Sequence, residues 1–339
     1  MKSTVTFEKN SFDILRYYAA FAVMLLHFTG YFLMLADGQN IVMNGIRKAV
    51  LFFPGVVVLF AISGFLIVAS CERAESKKKF FEKRILRLFP ELWLCTVVNL
   101  LVLAILAWRS FDSSMITWVV TQIFGIANTP DCMKNFATGS VNGALWTIFV
   151  EMQLYIITMV CYPYLKKLSI KLWSVLLLGA LFVNLGAGYI SPASPGIVQK
   201  LLERSFLPYA LWFLIGMFCY CQRDKMLPLL KKLCPVMAVV YLVLYQFEMF
   251  GFGYYCGIVT SVLCPFIVIG LAYQLPAFRI GTDLSYGIFL YHWIVLNVFV
   301  HFDLTNRLPW VVTLLLFIGV TLLLAWASTR FVGDRIKKR

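Results

Sequence analysis

The sequence predicts an all-α fold, a polytopic integral membrane protein of about ten spanning helices. Three observations carry this: 61% of the 339 residues are hydrophobic, only 14% are charged, and mean hydropathy is +0.83, far from the balance of a soluble domain. A spanning helix takes about 20 apolar residues. Stretches of that kind lie near 12–36, 50–70, 91–108, 143–164, 172–190, 206–221, 233–249, 254–273, 284–301 and 308–329.

Taken in order, the first stretch is long enough to span, ends in no small-residue cleavage site and carries Arg16 inside it, so it is expected to be retained. The second contains LFAISGFLIV, where Ser63 and Gly64 permit close approach of a neighbouring helix or a narrow passage for a substrate arm. The third follows a basic loop at 71–90, CERAESKKKFFEKRILRLFP. The longest connection, about 109–142, contains MITWVVTQIFGIA, which at 13 residues is too short to cross and is expected at the interface or as a re-entrant piece. The fourth stretch carries Glu151, and the fifth to eighth are read from hydropathy alone. The ninth holds DLSYGIFLYHWIV, with Ser285, Tyr286 and His292, and the tenth leads into a basic tail from Arg330. A single membrane domain, 1–339, without a fused soluble domain, is the simplest organisation.

The net charge of +14 does not point to nucleic acid, because the basic residues sit in short interhelical loops. With both termini in the cytoplasm, 22 Lys and Arg fall on the cytoplasmic side and seven on the other, as the positive-inside bias requires. Anionic membrane lipids suit the same basic run. The nine cysteines show no metal-ligand spacing, and no metal is expected; a disulfide between Cys132 and Cys256, both on the expected outer side, stays open.

Arg16 and His27 are eleven residues apart in the first stretch, about three helical turns, so both project from one face. Ionisable groups on one stripe of a membrane helix are costly unless they face protein or water, which makes them functional candidates. Counting about 1.5 Å per residue, His27 and Glu151 reach similar depths in the bilayer. A carboxylate can orient an imidazole and stabilise its protonated form, giving a general base; the bland alternative is structural hydrogen bonding between helices. His292 lies near mid-membrane as a second catalytic group or a satisfied structural histidine, and Ser285 nearly shares its face whereas Tyr286 does not. Arg84 and Arg87, three apart on one helical face, match the geometry of phosphate, as in a coenzyme A thioester. His301 is read as a wetted interface residue.

With these residues in view, the chain resembles the acyltransferase 3 family of membrane O-acyltransferases over nearly its whole length. The motifs are Arg16 and His27 in LRYYAAFAVMLLH, the second-helix VVVLFAISGFLI with Ser63, FFEKRILRLFPELW with Arg84 and Arg87, ALWTIFVEMQLY with Trp146, Glu151 and Tyr155, and SYGIFLYH from Ser285 to His292. The resemblance implies a bacterial inner-membrane protein that moves an acetyl group from cytoplasmic acetyl-CoA to a hydroxyl of a cell-surface glycan or lipid-linked sugar. It assigns His27, Glu151 and Arg16 to catalysis, Arg84, Arg87 and Ser63 to the coenzyme, and Trp146, Tyr155, Ser285, Tyr286 and His292 to the acceptor. No permanently bound cofactor is implied, and self-association into a homo-oligomer stays open. The rival of another class is a proton-coupled transporter or flippase of an amphipathic substrate, in which Arg16, His27 and Glu151 would form the proton path.

Overall fold

The computed structural model describes residues 10–193, 195–246, 251–277 and 280–337, and its described residues are helical with no strand among them. Lys2, Lys9, Arg279, Lys338 and Arg339, which entered the expected charge asymmetry, lie outside the described residues. In chain order the helices are α1 (Phe12–Leu35), α2 (Ile41–Phe52), α3 (Gly55–Arg73), α4 (Lys77–Ala107), α5 (Ser114–Ile123), α6 (Trp146–Leu165), α7 (Ile170–Ala193) and α8 (Gly196–Arg204). They continue as α9 (Ala210–Cys221), α10 (Arg223–Gln246), α11 (Ile258–Gln274), α12 (Ser285–His301), α13 (Leu304–Arg307), α14 (Trp310–Ser328) and α15 (Asp334–Lys337).

Each expected apolar stretch contains helix, with 247–249 of the seventh outside the described residues, yet among the described residues seven helices are long and apolar enough to cross a membrane, or eight with one bent pair counted as a span. The shortfall from ten has identifiable causes. The stretch at 206–221 begins at a turn around Pro208, which cannot donate an amide, and the segment Leu207–Cys221 is bent 48° from α8. Ile258–Gln274 and Ser285–His301, the helices found in the stretches 254–273 and 284–301, are 17 residues each, at the short end of what a crossing takes. The basic loop expected at 71–90 is largely helix: α4 starts at Lys77 and runs 31 residues. Hydropathy located only its apolar part, while Lys, Arg, Glu and Leu are themselves good helix formers. The segment MITWVVTQIFGIA gives α5, ten residues long, whose Met115 and Trp118 are buried in a cluster with Leu103, Met133 and Val141. All nine cysteines, Cys132 and Cys256 included, are free thiols.

The chain divides into two compact units. The first takes its described residues from Met1–Ala19, Phe52–Phe80 and Val150–Ile280, the second from Ala20–Leu51, Phe81–Phe149 and Gly281–Arg339. In the first unit α3 packs along α9 at a double glycine contact, since a Cβ on Gly64 would collide with the Phe213 carbonyl and one on Gly216 with that of Ala61. Glycine at both points lets the backbones approach closely enough for dispersion contacts to hold them. Buried Tyr241 of α10 packs with Cys234 and Ile267, and its hydroxyl donates to the Phe52 carbonyl.

The second unit is organised around α12, whose residues are nearly all buried. Gly287 lies against Ala325 of α14, and Phe28 and Phe299 of α1 and α12 pack on Phe317 at 4.7 and 5.8 Å between ring centroids. Leu290 at its middle lends its carbonyl to the Asn142 amide, 2.9 Å away, and to the Cys95 thiol at 3.4 Å. These bonds fix the helix that carries His292.

Candidate functional site

The sequence candidates form two polar clusters, one in each unit. In the second unit His27 of α1 and His292 of α12, 265 residues apart in sequence, meet with His27 Nδ1 2.9 Å from His292 Nε2. Their rings are parallel, 1° apart in plane with centroids at 5.2 Å. The other nitrogen of His292, Nδ1, lies 3.1 Å from the Ile288 carbonyl oxygen.

These contacts assign the protons. A carbonyl only accepts, so His292 Nδ1 donates to Ile288, and in the neutral ring Nε2 is then a bare acceptor. His27 must therefore donate through Nδ1, which leaves the lone pair on His27 Nε2. Burial divides the roles further, because His292 is completely enclosed while His27 is only half-buried. A reacting molecule can meet His27; His292 can act only through it.

Trp293, which the sequence did not single out, stands edge-on to His27 with centroids at 4.6 Å and 71° between planes. Its indole Nε1 donates to Thr138 Oγ1 and to the Ser140 carbonyl, both at 3.1 Å. Asn297, one turn along α12, donates to the Ser140 and Val141 carbonyls at 2.9 and 3.0 Å and accepts from Thr138 Oγ1 at 2.7 Å. The connection between α5 and α6 is thus clamped to α12, and Gly143 lies flat on the Trp293 ring where any Cβ would intrude. No periodicity marks such a wall; only the polar richness of 138–142 in an apolar chain could have pointed to it.

The first unit holds the carboxylate. Ser63 Oγ of α3 and Tyr155 Oη of α6 both donate to Glu151 Oε1, and the two hydroxyls are 3.2 Å from each other. Tyr155, one turn after Glu151, is buried. Here three sequence candidates come together as a hydroxyl-lined carboxylate. The expected pairing of His27 with Glu151 would join the two units; within its own unit each has the partners just named.

The remaining candidates lie outside these two clusters. Arg16 pairs with Asp13 at 3.4 Å in the first turn of α1. Ser285 starts α12 by bonding to the Asp283 carboxylate through its amide at 3.1 Å and its hydroxyl at 2.5 Å. Tyr286 donates to the Leu88 carbonyl of α4 at 2.9 Å, on a different face from His292 as their spacing required. Arg84 is half-buried and Arg87 exposed on the first turns of α4, and Trp146 opens α6. His301 is exposed, with its ring on Phe136.

Comparison with known proteins places this geometry in context. A family model described as an acyltransferase domain matches residues 9–330. Among curated relatives, an O-acetyl transferase of Shigella phage Sf6 is 25% identical over 98% of this chain and 97% of its own. Nodulation protein 10 of Rhizobium leguminosarum bv. viciae is 34% identical over 44% of this chain and 43% of its own. No solved structure matches. The chain belongs to the acyltransferase 3 family and is a multi-pass membrane protein.

Proposed function

We propose that this acyltransferase is an O-acetyltransferase of a bacterial inner membrane, moving an acetyl group from cytoplasmic acetyl-CoA to a hydroxyl of a cell-surface glycan or lipid-linked sugar, with His27 as general base. The name of the phage relative, similar over nearly the whole chain, supports the reaction. The observation that carries the base is the hydrogen-bond chain from Ile288 through His292 to His27, which leaves a lone pair on the half-buried ring.

In this reading His27 Nε2 takes the proton of the acceptor hydroxyl as its oxygen bonds to the thioester carbon. The carbon–sulfur bond then breaks, and the imidazolium returns the proton to the departing thiolate, so the histidine ends as it began. His292 holds the required tautomer and is a positioning residue. Trp293 covers one flank of His27, and apolar surroundings protect the thioester from water. Arg84 and Arg87 receive the phosphates of the coenzyme on the cytoplasmic side, an orientation supported by the charge asymmetry. Glu151, which accepts hydrogen bonds from Ser63 and Tyr155, is a second group that the reaction needs.

His27→Ala should lower transfer of labelled acetyl from acetyl-CoA by about 10²–10⁴-fold with normal membrane insertion. An active, well-folded His27→Ala protein sinks the assignment. Arg84→Ala with Arg87→Ala should raise the apparent KM for acetyl-CoA well beyond any change in acceptor use; unchanged coenzyme kinetics would return both arginines to a topological role.

A further inference from the structure

Arg47, on α2, reaches across to α1 beside His27. Its Nη1 lies 3.4 Å from the carbonyl of Leu26, the residue before the histidine. The same nitrogen fills the space left by the absent side chain of Gly30, where a Cβ would come within 2.7 Å of it. Leu26 and Gly30 are four residues apart and stack on one helical face, so the guanidinium is held against the turn that contains His27.

Among the described residues the Leu26 carbonyl is its one hydrogen-bond partner, and that bond is long. Its other donors are free of protein partners among the described residues and can turn to a group outside the chain, and no carboxylate of the described residues pairs with it. A half-buried cation beside a base is a poor arrangement for a resting protein, because it repels the proton that the base must accept. It becomes favourable when negative charge appears in the same place at the same moment.

We propose that Arg47 stabilises the acyl carbonyl oxygen as it becomes negative during attack by the acceptor. This rests on the reading of His27 as general base. When the acceptor proton passes to His27, the electron pair of the carbonyl moves onto its oxygen, so imidazolium and oxyanion form together. The guanidinium fork then meets an anion within its reach, and its repulsion of the imidazolium is offset. As the carbonyl re-forms and the thiolate leaves, the charge moves to sulfur and Arg47 is released to its resting position at Leu26.

The test uses the full chain in membranes, labelled acetyl-CoA as donor and a lipid-and-glycan extract of the parent cells as a titratable acceptor. Arg47→Gln should lower the rate at saturating donor and acceptor by about 10²–10³-fold with the KM for acetyl-CoA little changed, as for loss of an oxyanion donor, and Arg47→Lys should recover part of it. Gly30→Ala keeps the charge, improves helix propensity and displaces the guanidinium tip, so it should fold normally and lose rate in the same way. Full rate in both Arg47→Gln and Gly30→Ala, with His27→Ala inactive, overturns the role of Arg47 and leaves the base assignment standing. Recovery of Arg47→Gln on raising the acceptor extract also overturns it, since Arg47 would then be recognising the acceptor. Activity in His27→Ala would remove the base reading itself.

Discussion

The histidine pair of the second unit and the Glu72 cluster of the first show two ways of partnering an ionisable group, one inside the helices and one at an exposed helix end. Glu72, at the end of α3, accepts from Tyr162 at 2.7 Å and Tyr220 at 2.8 Å and pairs with Arg223 at 3.2 Å, whose guanidinium also lies over the Tyr220 ring. Every partner supplies a donor, so the carboxylate is satisfied and ties α3, α6, α9 and α10 together. The histidine chain is directional instead: each ring receives or gives one proton and the last nitrogen is left over. A saturated cluster holds structure, whereas an unsaturated one can react. Glu151 stands between them, because both of its hydroxyl donors converge on a single oxygen.

Altering His292 tests this contrast most severely. His292→Leu removes the acceptor that fixes the His27 tautomer and should lower the transfer rate on the order of 10²-fold. His292→Gln can place an amide oxygen near the former Nε2 and should retain clearly more activity; equal loss in both would mean that the enclosed ring does more than accept a proton. A second comparison sets the acids against each other. Glu151→Gln should cost activity with little change in thermal stability. Glu72→Gln should spare the chemistry but lower stability by up to about 1 kcal/mol, since two tyrosine hydroxyls and a guanidinium lose a charged acceptor at a solvent-screened site, and melting of the detergent-solubilised protein would read it. A reversal of these two outcomes would exchange the assigned roles.

The glycines offer a comparison of stability alone. Gly64→Ala forces a Cβ into the Phe213 backbone and should destabilise the first unit by about 1–3 kcal/mol. Gly179 of α7 has no neighbouring atom within 4 Å of an added Cβ, so Gly179→Ala should stabilise by about 0.5–1 kcal/mol through helix propensity. The same melting curves would separate them.

Position along a helix axis was legible in the sequence, because rise per residue turns residue number into length. Direction around the helix axis was not. The chemical types at His27, Glu151, Ser63 and His292 could be named in advance, and so could the separation of Tyr286 from the His292 face. Which of them meet depends on how helices distant in sequence pack, and so the His27–His292 contact and the approach of Ser63 to Glu151 had no local signal, whereas Glu151 and Tyr155 sit one turn apart on one helix. Arg47 was hidden for a related reason. Counted as a loop charge, it is in fact the reach of a long side chain into a gap made by Gly30, a relation between two residues that neither shows alone.

One remote contact bears on how the protein can be handled. Glu91, buried within α4, takes hydrogen bonds from Ser328 and Thr329 at 3.3 and 3.2 Å, and Gly333 sits directly against its other oxygen where the final helix widens into a π turn. A reporter spliced on after Lys337 leaves that latch shut. One that trims the chain back past Thr329 strips the acid of both hydroxyls, and a fusion designed only to light up the membrane would then be watching a loosened protein.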